Sequence, residues 1–275
     1  LNKTNRQRRI LAVHPWVADH AVAGKIVLPA VETLLFLAAM GRELYPDLPV
    51  STMVGARFGK FLEIAPGQRQ VEVLVELAVS GDHLRAVLQS EVVLKNMTRI
   101  KEHGEVHFPL QPSLTSIADT CEIILPTTSA TTFSAETIYR RLVPFGPAYR
   151  SLYGNLHLRQ NEAFGELRAP LLMSDNPAGA LLGSPFPCDG AMHAACVLGQ
   201  QRASYIPFPV GFARRRVLRS TRPGDAYLVK ATLTAESAEE LTFDLRLADR
   251  AGRLYEAVDG LRMRDVGFST TTDIT

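Results

Sequence analysis

The chain has 275 residues, 46% of them hydrophobic, enough to fill the core of one large fold or two fused smaller ones. Lys and Arg (30) nearly balance Asp and Glu (28), which argues against nucleic acid or a charged membrane surface as a partner. Cys121, Cys188 and Cys196 are odd in number and lack CxxC spacing, so they argue against a disulfide framework or a structural zinc site and fit a reducing cytoplasm.

The first residues, among them Asn2, Lys3, Arg6, Arg8 and Arg9, are polar and basic. They include neither an initiator Met nor a signal-peptide core, as expected of a domain belonging to a longer polypeptide. Over 29–44 apolar residues occupy nearly every position, with Pro29 suited to a first helical turn and Pro46 just past the end. That pattern predicts a helix buried all round. Pro29 and Glu32 interrupt the run 26–40, so it is not read as a membrane span, and Glu32 is read as a complement to the helix dipole. The period then changes to two: Val71, Val73, Val75, Leu77 and Val79 alternate before the turn at Gly81-Asp82, and Leu84, Ala86 and Leu88 follow it. This predicts an antiparallel hairpin, with further strands over 50–64 and 92–98. Residues 111–135 are rich in Ser, Thr and Pro and read as a surface linker.

The second half repeats the order of parts. A small-residue helix is expected over about 189–205, then strands over 210–218, 226–235, 241–248 and 254–264. One apolar helix followed by antiparallel strands, twice, predicts an α+β chain in which two sheets each wrap around a central helix. The expected division is a first unit over 1–115, a linker over 116–135 and a second unit over 136–275.

Three motifs stand in this frame: His20-x3-Gly24-x4-Pro29, then Phe145-Gly146-Pro147-Ala148-Tyr149, then Asp189-x3-His193. Each alone is weak, and their joint order is specific. On these residues the chain resembles the dehydratase domains of modular polyketide synthases, which are tandem (double) hot dogs, over about 14–264. Two departures are visible. The middle motif of the family usually begins with Tyr and ends with Phe, whereas Phe145 and Tyr149 exchange those aromatics, and His193 stands where many relatives have Gln.

The resemblance implies dehydration of a 3-hydroxyacyl thioester to the 2-enoyl thioester, with His20 as general base and Asp189 as general acid. A neutral histidine can take a C2 proton, and an apolar surround favours the protonated carboxyl needed to expel hydroxide. His193, one helical turn beyond Asp189, shares its face and is expected to be a neutral hydrogen-bond partner. Gly24 is expected to let backbone approach the ligand, with its amide, or those at the start of the following helix, polarising the thioester carbonyl; Pro29 has no N–H and cannot donate. Gly146-Pro147 alone is a turn signal, Asp189 alone a helix N-cap, and His14 is left as structural.

Implied too are no cofactor, a substrate carried on the phosphopantetheine of an acyl carrier protein, other synthase domains as partners and a homodimer. Arg214, Arg215, Arg216, Arg219 and Arg222 read either as a solvated strand or as a docking patch for that acidic carrier. Met192, Phe186, Phe208 and Phe212 suit an acyl tunnel and a core equally well. Three alternatives stay open: a double-bond isomerase or cyclase, a polyunsaturated fatty-acid synthase dehydratase, and a silent carrier-binding scaffold. No phosphate loop, G-x-S-x-G elbow or metal-ligand cluster supports nucleotide, serine-hydrolase or metal chemistry.

Overall fold

Alternating Val, Leu and Ala make the long strands of the chain, and two apolar runs that lack alternation make its long helices. The computed structural model describes residues 5–94, 97–112, 118–127, 130–173 and 176–267. Its first half holds β1 (Asn5–Ala12), β2 (Ala21–Val22), β3 (Lys25–Ile26), α1 (Ala30–Leu44), β4 (Thr52–Phe58), β5 (Gln70–Ser80), β6 (His83–Leu94) and β7 (Met97–Pro109). The second holds β8 (Thr131–Ser134), α2 (Ala135–Thr137), β9 (Leu152–Arg159), β10 (Glu162–Arg168), α3 (Gly179–Leu182), α4 (Phe186–Gln200), β11 (Phe208–Val217), β12 (Ala226–Glu236), β13 (Glu240–Ala248) and β14 (Leu254–Arg264).

The long strands run in the order β1-β5-β6-β7-β4-β11-β14-β13-β12-β10-β9-β8, every neighbouring pair antiparallel. The first five curl around α1 and the last seven around α4, the layout of a double hot dog. The two half-sheets are continuous: β4 and β11 pair from Thr52 with Arg216 to Arg57 with Gly211. Gly211 is required at this seam, because its φ is +154° and a Cβ there would lie 2.2 Å from the Ala56 carbonyl oxygen.

Several sequence expectations shift. The basic start, given no element from the sequence, is a strand: Arg6 lies opposite Glu76 on β5 and pairs with it, and Arg8 reaches Glu72 and Glu91 at 2.7 and 2.6 Å, so residues 5–12 form an edge strand. Asn2 and Lys3 lie outside the described residues. The strand expected over 50–64 ends at Phe58, after which Leu28 N–H donates to the Leu62 carbonyl. The strand expected over 92–98 is the junction of β6 and β7, with 95–96 outside the described residues. Nor is 116–135 all connector. Ile123 is buried against Phe164, Leu228 and Ala248, and Thr131–Ser134 is the outermost strand of the second half; residues 116, 117, 128 and 129 lie outside the description.

The arginine run is also not one surface. Arg214 and Arg222 are exposed, Arg216 pairs with Asp259 at 3.0 Å, and Arg219 donates to the Leu254 carbonyl at 2.6 Å. Arg215 is 2% exposed and corrects the docking reading for that position. It shares the inward face of β11 with Val217 and donates through Nε and a terminal nitrogen to Glu256 Oε2, at 2.9 and 2.8 Å. Removing one partner of a fully buried pair strands the other charge, so Arg215→Ala should destabilise the fold by about 3–5 kcal/mol. Arg214→Ala should stay within about 0.5 kcal/mol. Chemical denaturation of both variants checks this, and equal midpoints would refute the structural role of Arg215.

Candidate active site

His20 sits where a 3-10 turn, Pro15–Asp19, hands over to the small hairpin β2–β3. The hairpin turns through Ala23 (φ +48°) and Gly24 (φ +76°). A Cβ at Gly24 would meet no protein atom, so glycine is favoured there by its backbone angle rather than by crowding. The hairpin folds Val27 back onto His20: Val27 N–H donates to the His20 carbonyl, and His20 Nδ1 lies 3.0 Å from the Val27 carbonyl oxygen. A carbonyl can only accept, so Nδ1 carries the hydrogen and Nε2 keeps its lone pair. Burial lowers the His20 pKa from its ordinary 6.5, outweighing the opposing charge of Asp189. Pro29 is the N-cap of α1, and β3 separates Gly24 from that helix, so Gly24 does not belong to its N-terminus.

Asp19, which sequence reasoning passed over, fastens the middle motif to the first. Gly146 N–H donates to the Asp19 carbonyl at 2.7 Å and Ala148 N–H to the Asp19 carboxylate at 2.8 Å. The approach needs a glycine, because a Cβ on Gly146 would stand 2.5 Å from the carboxyl carbon. Pro147 then opens a 3-10 turn, Pro147–Tyr149. The result places Phe145 flat against the His20 ring, with centroids 4.3 Å apart and 15° between planes, and Tyr149 edge-on to it at 5.0 Å. Tyr149 is fully buried behind His20 and does not line the cavity.

Asp189 lies inside the first turn of α4, which begins at Phe186 with Pro185 as its N-cap. The N-cap reading is therefore corrected: Asp189 N–H already donates to the Pro185 carbonyl in the helical pattern. Small residues let this helix sit deep, and a Cβ on Gly190 would meet Ser151 and Leu167 at 2.6 and 2.9 Å. His193 follows one turn later, with Nε2 3.0 Å from Asp189 Oδ2 in a bent contact short of full hydrogen-bond geometry. Its Nδ1 is 3.3 Å from the Tyr139 hydroxyl. Phe145 lies beside His193 too, with ring centroids 5.1 Å apart.

These groups face one cavity. His20, Phe145, Asp189 and His193 line it together with apolar side chains such as Leu28, Val143 and Met192. Of the aromatics left open between tunnel and core, Phe208 lines the cavity, whereas Phe186 and Phe212 are buried in the core. Ala21, Val22 and Ala23 line it as well; Gly24 stands at the turn just beyond. Behind the site Glu32 is buried and accepts from Trp16 Nε1 at 3.2 Å, and burial pushes its carboxyl up to about 6, with Asp189 adding to the rise. His14 stacks on the same Trp16 at 4.2 Å. Among the described residues no cluster of His, Cys, Asp or Glu could hold a metal ion, and no helix is long and apolar enough to cross a membrane.

Gly146→Ala should push the middle motif off Asp19. The expected results are a loss of about 1–3 kcal/mol of stability and a shift of the His20 ring resonances as Phe145 leaves its stack. Unchanged resonances in a histidine-labelled sample would show that the clamp does not hold that ring.

The polyketide synthase dehydratase N-terminal domain family matches residues 124–269. Over 96% of its length the chain is 25% identical to the polyketide synthase GfsA of Streptomyces halstedii, of which it spans 4%. Among solved structures, the dehydratase domain of RzxB from Pseudomonas fluorescens superposes with a TM-score of 0.73 at 16% identity, covering 94% of each chain. The dehydratase domain from the CurF module of curacin polyketide synthase gives 0.73 at 18% identity, covering 96% of this chain and 94% of that one. These two likenesses concern the fold. With the family match over more than half its residues, this chain belongs to the polyketide synthase dehydratase family.

Proposed function

We propose that this domain removes water from a 3-hydroxyacyl chain tethered to the phosphopantetheine of an acyl carrier protein, with His20 as base and Asp189 as acid. Membership of the family supports dehydration in polyketide biosynthesis. The observation that carries the finer reading is that the His20 imidazole, with an unprotonated Nε2, and the Asp189 carboxyl line the same apolar cavity.

In this reading Nε2 of His20 takes the C2 proton, and the electron pair of that C–H bond becomes the second bond between C2 and C3. The C3–O bond breaks with its electrons on oxygen, and the Asp189 proton completes a water molecule. The reaction is redox-neutral and requires no cofactor. The products are the 2-enoyl thioester and water, with the proton then returned from His20 to Asp189. Charge accumulating on the thioester oxygen needs a donor, and the Gly24 amide beside the cavity is assigned that role. Phe145 holds the His20 ring by stacking, a task that requires no phenol, which accounts for a Phe at that position.

The wider assignments belong to the same proposal: a cytoplasmic synthase, a homodimer, and carrier docking at Arg214 and Arg222, the two exposed arginines of the run. Charge reversal of this pair should raise KM for carrier-bound substrate and leave KM for a short pantetheine thioester unchanged; equal effects on both would rule out docking there.

The deciding assay is incubation with 3-hydroxyacyl pantetheine thioesters and mass spectrometry for loss of water. His20→Ala and Asp189→Asn should each lower kcat/KM by about 10²–10⁴. An altered double-bond position or a ring without loss of water would identify an isomerase or cyclase, and no turnover on any chain length would leave the scaffold reading standing. The pH profile adds a signed test. His20 acts when neutral and burial lowers its pKa, so the acid limb of kcat/KM should lie below pH 6.5. A limb above 6.5 would contradict the assignment.

A further inference from the structure

Behind His193 stands a short hydrogen-bonded chain that neither the family motifs nor the reaction as written uses. Leu152 N–H donates to the Tyr139 oxygen at 2.8 Å, and the Tyr139 hydroxyl lies 3.3 Å from His193 Nδ1. All of it is buried. An amide cannot accept a hydrogen, so the phenolic hydrogen must point elsewhere, and His193 Nδ1 is its hydrogen-bond neighbour. Burial raises the Tyr139 pKa far above its ordinary value, so the hydroxyl keeps its proton throughout the working range.

We propose that Tyr139 is a positioning residue that sets the tautomer of His193, leaving Nδ1 bare and turning Nε2–H toward Asp189. The proposal rests on the reading of Asp189 as the acid. Its chemical value lies in what the opposite tautomer would do. A bare Nε2, 3.0 Å from Oδ2, would accept the proton that the carboxyl must deliver to the substrate oxygen. With Nε2–H in that place, His193 can only donate; it steadies the carboxyl and leaves the acid proton to the cavity. The bent contact suits this, since it lets the carboxyl turn toward a substrate hydroxyl without leaving the imidazole. The charged or titratable groups around His193 include Asp189 and Cys196 on its own helix, Tyr139 from the segment before the middle motif, and His20 across the cavity. His20 is held in the other tautomer by the Val27 carbonyl. Two histidines in one cavity are thus set in opposite senses, one to accept a proton and one to withhold acceptance.

Ring nitrogen shifts in a ¹⁵N-histidine sample test this directly. Wild type should show His193 protonated at Nε2 alone, and Tyr139→Phe should move the ring toward a mixture with the Nδ1–H form. The same variant should lose about five- to tenfold in kcat with KM unchanged, the value of one hydrogen bond of ordinary net strength. Losing the hydroxyl also deprives the Leu152 amide of its acceptor, so Tyr139→Phe is repeated in a His193→Ala background, where it should cost nothing more in kcat. An Nδ1–H or doubly protonated His193 in wild type, or an equal kcat loss in both backgrounds, would overturn the proposal. Tautomer is read without turnover, so an inactive protein with the expected His193 counts against the dehydratase reading and not against this one.

Discussion

Asp19 is the constraint on which the site depends, because it ties the segment carrying His20 to the turn carrying Phe145 by two hydrogen bonds across the two halves. The continuous sheet through β4 and β11 fixes the halves coarsely; a catalytic arrangement needs placement to about half an ångström. Both donors at Asp19 are backbone amides, whose directions are set once Pro147 has fixed the turn. Gly146 supplies the missing Cβ that permits the approach. One carboxylate, one glycine and one proline therefore govern where an aromatic ring lies on a histidine more than a hundred residues away in sequence.

Around that clamp, polar groups are buried with their partners chosen by direction. The Val27 carbonyl can only accept and the Leu152 amide can only donate, so the main chain itself dictates hydrogen positions at His20 and Tyr139. Backbone groups are indifferent to pH, which makes them steadier orienters than carboxylates would be in this apolar surround. At Asp189 Oδ2 the neighbour is a side chain instead, His193 Nε2 at 3.0 Å in the same helix.

Much of this is legible in the sequence. The unbroken apolar run of α1 and the alternation of β11 to β14 with punctuated turns can be read directly, because burial on all sides and burial on one face leave different periods. β1 is illegible, since its Arg6 and Arg8 become strand residues only through Glu76 and Glu72 on a strand sixty residues on. Arg215 misleads for a related reason: a run of arginines resembles a solvated edge until Glu256 on β14 is known to lie beneath it. At the site, His20, Asp189 and the glycines carry motif spacing, whereas Asp19, Glu32 and Tyr139 act through neighbours brought by the fold. Asp19 offers one usable signal, its position beside His20.

The seam between β4 and β11 also orders events in time. β4 ends at Phe58 and its outer partner begins at Phe208, so on a ribosome adding about 5–20 residues per second that edge waits roughly 7–30 s for its complement. During that interval a nascent chain offers unpaired amides and carbonyls to any neighbouring nascent chain, the hazard that folded sheets avoid by closing their borders. Synthesis rate and chaperone shielding thus bear on the yield of this domain.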